Sequence, residues 1–96
     1  MADMPALLEV MGDLKRLISL PTNDYSWSSW PDQASALREI DSIFARLRNG
    51  DESAVGVMEV LFLPTGPAQE VSLSSGWGDE FLTIAERFDR AKVTVA

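Results

Sequence analysis

The side chains available for catalysis are carboxylates, serines, Tyr25, Lys15 and Lys92, because histidine and cysteine are both absent. Their absence excludes a thiol nucleophile, a histidine-based triad, a Cys/His zinc site and a disulfide framework. Glu59 is the only charge in the apolar segment 55–63. A buried Glu59 would have a raised pKa, as a general acid or base requires. At the edge of a sheet it would instead stay in water and block association. We favour an exposed position for Glu59 over the hypothesis that Glu59 or Asp79 is a catalytic base. We therefore expect no enzyme activity.

Close pairs of acidic residues are the other candidates for chemistry. They occur at Glu39 and Asp41, at Asp51 and Glu52, and at Asp79 and Glu80. None has the spacing of a calcium loop, and adjacent side chains on a helix point apart. Acidic residues near helix N-termini are explained by the helix dipole. We therefore expect neither a metal site nor a cofactor.

Aromatic residues with polar groups are favoured anchors at protein interfaces. Three of them lie in the segment 21–31, and Trp77 stands between two glycines. These rings could instead complete the core of a small domain. Four carboxylates, Asp24, Asp51, Glu52 and Glu59, are not explained by any predicted helix start. The candidate partner-binding residues are therefore Asp24, Tyr25, Trp27, Trp30, Asp51, Glu52, Glu59 and Trp77.

The charge of the chain narrows the class of partner. The 96 residues include 15 acidic and 8 basic side chains, which gives a net charge of −7. An acidic surface repels nucleic acid and anionic membranes and attracts a basic protein. The first 20 residues contain three acids and lack the basic start of a signal peptide. We expect one soluble, cytoplasmic domain over residues 1–96, with a second copy of the chain as an alternative partner.

Three helices follow from apolar residues at three- and four-residue spacing. The first spans about residues 4–20, starts after Asp3 and stops at Pro21. The second begins around Pro31 and ends at Asn49 and Gly50. The third opens at Asp79 and Glu80.

Between the last two helices the pattern indicates strands. Residues 55–63 are continuously apolar and rich in valine, and residues 70–74 alternate polar with apolar. The turn-forming residues 64–67 would join them in a hairpin, and residues 92–96 could add a third strand. The sequence therefore predicts an α+β fold in the order α-α-β-β-α, with a final β-strand as an option. Helices would cover a small antiparallel sheet.

The segments 24–30, 63–67, 70–72 and 76–81 resemble small stand-alone bacterial proteins whose role is generally unassigned. The likeness covers about residues 20–90 and includes no catalytic motif. In its size, acidity and lack of catalytic groups the chain also resembles the immunity proteins that neutralise bacterial toxins. This second resemblance implies binding to a basic toxin surface and assigns no residue.

These observations favour a protein-binding module without catalytic activity. Its most specific form is an immunity-type inhibitor or adaptor that binds a basic protein surface through acidic and aromatic residues. The alternative is a small-ligand-binding or regulatory domain in which the three tryptophans line a pocket.

Overall fold

The computed structural model describes residues 2–63 and 66–92, which form five helices and no strand. They are α1 (Met4–Ile18), α2 (Gln33–Arg48), α3 (Ala54–Leu61), α4 (Pro67–Ser75) and α5 (Gly78–Lys92). The predicted α+β fold with an antiparallel sheet is therefore wrong, and the fold is all-α. The three helices predicted from apolar spacing are confirmed as α1, α2 and α5.

Helix α1 is the central element and packs against both α2 and α5. At one end of the bundle, the Gln33 side chain at the start of α2 donates to the Ile18 carbonyl at the end of α1, over 2.9 Å. At the other end, the Asp3 backbone N–H donates to the Ala91 carbonyl of α5 over 2.9 Å. Both α2 and α5 thus run antiparallel to α1. We call the end with Ile18 and Gln33 the loop end.

The core forms around a broad apolar face of α1. Six α1 side chains are buried: Leu7, Val10, Met11, Leu14, Leu17 and Ile18. A face this wide can contact two neighbouring helices at once. Phe62, directly after α3, packs on α5. Its ring stacks on Phe81 and Phe88 at centroid distances of 5.7 and 4.9 Å. The short helices α3 and α4 return the chain to the loop end along α2 and α5.

The first predicted strand, residues 55–63, is mostly helix α3. Its buried residues Ala54, Met58 and Leu61 recur at helical spacing. A turn starts the helix, because the Asp51 side chain accepts from the Ser53 N–H over 3.0 Å and the Asp51 carbonyl accepts from the Ala54 N–H. The valines of α3 are half-buried or exposed, so their preference for strands does not decide the structure.

The second predicted strand, residues 70–74, lies inside helix α4. Pro67 occupies the first helical position and Gly76 ends the helix in the left-handed conformation, with φ of 86°. Ala68, Val71 and Ser72 are buried on one face. The optional third strand, residues 92–96, lies outside the described residues except for Lys92, which ends α5.

The predicted helix starts are confirmed in part. Asp3 caps α1 through a hydrogen bond from the Ala6 N–H, and Asp32 caps α2 through one from the Ser35 N–H. The α2 helix therefore begins after Pro31 and Asp32. Within the described part of the chain, no helix is long and apolar enough to cross a membrane.

Candidate protein-binding site

The aromatic loop, residues 19–32, joins α1 to α2 across the loop end. Asn23 fixes its first half. The Asn23 amide donates to the carbonyls of Leu17 and Ile18, over 2.8 and 3.0 Å, and so satisfies the end of α1. Its side-chain oxygen accepts from the Trp77 indole N–H over 2.8 Å. One side chain thereby links α1, the aromatic loop and the start of α5.

Three of the four candidate aromatic residues belong wholly or partly to the core. Trp30 and Trp77 are buried, and the Trp30 indole N–H donates to a Glu39 carboxylate oxygen. Tyr25 is partly buried and its hydroxyl donates to the Ile18 carbonyl over 3.0 Å. The pKa of Tyr25 is raised, mainly by burial of the side chain, so the hydroxyl that donates this hydrogen bond stays protonated.

Trp27 is the exception, with 77% of its surface exposed. It lies in a turn closed by the Ser28 N–H on the Tyr25 carbonyl, over 3.1 Å. A ring that large is usually at least partly covered in a folded protein. Its exposure at a closed turn therefore makes Trp27 the best candidate for a partner contact.

Helix α4 holds the aromatic loop on both sides of Trp27. The Asp24 N–H donates to the Ser75 hydroxyl over 2.8 Å, and the Ser28 hydroxyl donates to the Pro67 carbonyl over 3.1 Å. The Ser29 N–H donates to a Glu70 carboxylate oxygen over 3.2 Å. The backbone around Trp27 is therefore fixed before any partner arrives, which reduces the entropy lost on binding.

The charge around Trp27 is negative. Asp24 and Glu70 flank the turn, and neither takes part in an ion pair among the described residues. Hydrogen bonds from the hydroxyl and the backbone N–H of Ser26 hold the pKa of Asp24 below its usual 3.8. The cap bonds from Ser35 likewise lower the pKa of Asp32. Both carboxylates are thus ionised at neutral pH.

The remaining candidates lie away from the aromatic loop. Asp51 and Glu52 follow α2, which is about 24 Å long and begins at the loop end. Asp51 accepts from Arg46 and Ser53, and Glu52 accepts from the Ala2 N–H over 3.4 Å. The structure therefore separates Asp51 and Glu52 from Trp27.

Glu59 projects from α3 with about half of its side chain exposed, and its carboxylate lies 3.7 Å from the Lys92 ammonium. The prediction that Glu59 is exposed to water is confirmed, although Glu59 lies on a helix and not at the edge of a sheet. Across the described ranges, no group of three or more acidic side chains is arranged to hold a metal ion. None of three clefts on the described surface is lined by a tryptophan.

Sequence reasoning did not identify Asn23, Glu70 and Ser75, which position the aromatic loop. Asn23 follows Pro21 just beyond α1, which is a common place for a side chain that caps a helix. No sequence signal pairs Glu70 or Ser75 with the aromatic loop, because 41 and 51 residues separate the bonded partners.

Comparisons with protein-family models, with curated proteins and with solved structures yielded no match.

Proposed function

We propose that this protein is a protein-binding module without catalytic activity, and that it binds a basic protein surface through the loop end. The observation that supports this most directly is the exposed Trp27 on a turn that α4 holds in place. Tryptophan is enriched among the residues that dominate binding energy at interfaces.

The acidic groups beside Trp27 favour a basic partner. Asp24 and Glu70 would meet lysine or arginine side chains at the rim of the contact, where charge mainly speeds association. In the more specific, immunity-type form of the proposal, the partner is a basic toxin that the module masks.

The test compares proteins captured from the source cell by the wild-type chain and by two variants. Trp27→Ala removes the proposed anchor. Val60→Ala is the matched control, because Val60 is an apolar side chain of α3 that is 56% exposed and makes none of the contacts that hold the aromatic loop. We expect a basic protein to be retained in stoichiometric amount by the wild type and the control and lost by Trp27→Ala. With that protein purified, calorimetry should show Trp27→Ala binding about 30-fold more weakly.

A second pair of variants tests the charge. Asp24→Asn and Glu70→Gln keep an oxygen acceptor for the Ser26 and Ser29 N–H groups and remove only the negative charge. Each should slow association at low salt, by about two- to fivefold, with little effect at high salt. Equal capture by Trp27→Ala and the wild type, or no stoichiometric partner at all, would refute the proposal. If the captured protein is a toxin whose activity the wild type blocks and Trp27→Ala does not, the immunity-type form is supported.

A further inference from the structure

A second surface, which no residue of the aromatic loop lines, is a cleft of about 450 Å³ between the end of α3, helix α5 and Gln69 of α4. Its floor is apolar and comes from Phe62, Phe81 and Phe88, and the Phe62 ring stacks on each of the other two. Leu63 and Leu82 border the cleft, and they are 47% and 54% exposed. We call this the α3–α5 cleft.

Leu82 is not needed for the packing of α5. The buried face of that helix consists of Phe81, Ile84, Phe88 and Ala91. Leu82 projects beside this face, and Leu63 faces it from beyond the end of α3. Two large aliphatic side chains thus border one apolar depression, which is typical of a contact surface.

The α3–α5 cleft is elongated and its rim is acidic. Residues lining it run along α5 from Phe81 to Lys92, which is about 16 Å or three helical turns. The charged side chains of the rim are Glu59, Glu86, Asp89 and Lys92. Three carboxylates and one ammonium leave a net charge of −2, and Lys92 already pairs with Glu59 and Asp89 at 3.7 and 3.3 Å.

We propose that the α3–α5 cleft docks the apolar face of a basic amphipathic helix of a partner protein. An open groove three turns long with an apolar floor matches the mode in which a helix inserts apolar residues at i, i+4 and i+7. Lysine or arginine side chains beside that stripe would meet the acidic rim. A second copy docked symmetrically would place two acidic rims against each other, so the charge favours a different, basic partner. This proposal is independent of Trp27.

The probe is a labelled synthetic peptide of about 14 residues, with leucines at i, i+4 and i+7 and lysines beside them. Fluorescence anisotropy measures its affinity for the full chain. A second peptide with glutamate at every lysine position is the charge control. We expect the lysine peptide to bind at least about tenfold more tightly than the glutamate peptide.

Variants locate the bound peptide. Leu82→Ser should weaken binding about tenfold, whereas the control Leu73→Ser, which lies outside the cleft lining, should change it less than twofold. Both side chains are exposed, so circular dichroism should show an unchanged fold. Trp27→Ala should leave the affinity for the peptide unchanged, which separates this proposal from that for the loop end. In NMR spectra, the amides of α5 should shift on binding.

Several results would overturn the proposal. These are equal affinity for the two peptides, equal effects of Leu82→Ser and Leu73→Ser, or peptide shifts confined to the aromatic loop. Sedimentation that shows a dimer lost in Leu82→Ser would assign the cleft to a second copy. Nuclear Overhauser contacts between Leu82 and residues 93–96 in the free protein would assign it to the chain itself.

Discussion

Replacing Asn23 by alanine should be among the most destabilising changes in the aromatic loop. Asn23 joins three groups: it donates to the Leu17 and Ile18 carbonyls and accepts from the Trp77 indole N–H. Alanine would leave all three without this partner. The cost depends on whether each group has another hydrogen bond.

The carbonyls keep other partners, because Leu17 also accepts from the Leu20 N–H, and Ile18 also accepts from Tyr25 and Gln33. Each should lose about 0.5 kcal/mol. The Trp77 indole is only 4% exposed, so its N–H would be left buried and unpaired, at about 1–2 kcal/mol. The sum is about 2–3 kcal/mol of the free energy of unfolding, and a fall in Tm of roughly 10–20 °C.

The assay is urea unfolding followed by circular dichroism at neutral pH. Asn49→Ala is the control, because Asn49 is exposed at the end of α2 and should cost less than about 0.5 kcal/mol. A double-mutant cycle with Trp77→Phe isolates the indole bond, since phenylalanine has no N–H. Asn23→Ala should cost about 1 kcal/mol in that background, which is a coupling of about 1–2 kcal/mol. A coupling near zero, or equal costs for Asn23→Ala and Asn49→Ala, would refute the reasoning.

Three further predictions concern backbone packing, acid stability and exposure. A Cβ added to Gly66 would lie 2.6 Å from the Val60 carbonyl oxygen, whereas one added to Gly56 in α3 would meet nothing within 4 Å. In urea unfolding, Gly66→Ala should therefore cost about 1–3 kcal/mol and Gly56→Ala should stabilise by about 0.5–1 kcal/mol; the opposite order would contradict the structure. Hydrogen bonds lower the folded-state pKa of the three carboxyls of Asp24, Asp32 and Asp51. The stability that they contribute is therefore complete above the unfolded-state pKa of about 4 and is lost as the pH falls through the folded-state values. The urea concentration at the unfolding midpoint should decrease as the pH is lowered below about 4.5. The decrease should be smaller in a variant with asparagine at all three positions, Asp24, Asp32 and Asp51. An equal dependence of the midpoint on pH in the variant and the wild type would contradict the role of these three carboxyls. Acrylamide should quench the fluorescence of Trp27 far more than that of the two buried tryptophans, so Trp27→Phe should remove most of the quenchable emission. Strong quenching of the fluorescence that remains in this variant would contradict the burial of Trp30 and Trp77.

The helices that could be predicted are those long enough to repeat their apolar pattern. Helices α1, α2 and α5 have 15, 16 and 15 residues, which is about four turns each. Helices α3 and α4 have 8 and 9 residues, so their apolar patterns repeat only about twice. The valines of α3 and the alternation of polar and apolar residues over 70–74 then favour strands. Pro67 begins α4 and Gly76 ends it; these two residues lie on either side of the second predicted strand and are the better signal.

The candidate site could be predicted only in its residue types. Trp27 and Trp30 are three residues apart and chemically identical, yet one is exposed and the other is buried. The difference arises because Glu39 on α2 receives the Trp30 N–H, while α4 holds the loop with Trp27 outside. Such contacts depend on how helices distant in sequence pack together, and no local pattern encodes them.

Helix direction explains where the acidic surplus lies. Both α2 and α5 begin at the loop end. The N-cap Asp32 of α2 and the first-turn acids Asp79 and Glu80 of α5 therefore gather there with Asp24 and Glu70. The basic residues of their last turns, Arg46, Arg48, Arg90 and Lys92, lie at the opposite end. At the end of α1, Lys15 and Arg16 are held by Asp41 and Asp13 at 2.7 and 3.3 Å. The net charge of −7 is therefore concentrated at the loop end, whereas the charges at the opposite end nearly balance. A basic partner would be attracted toward the end where Trp27 is exposed.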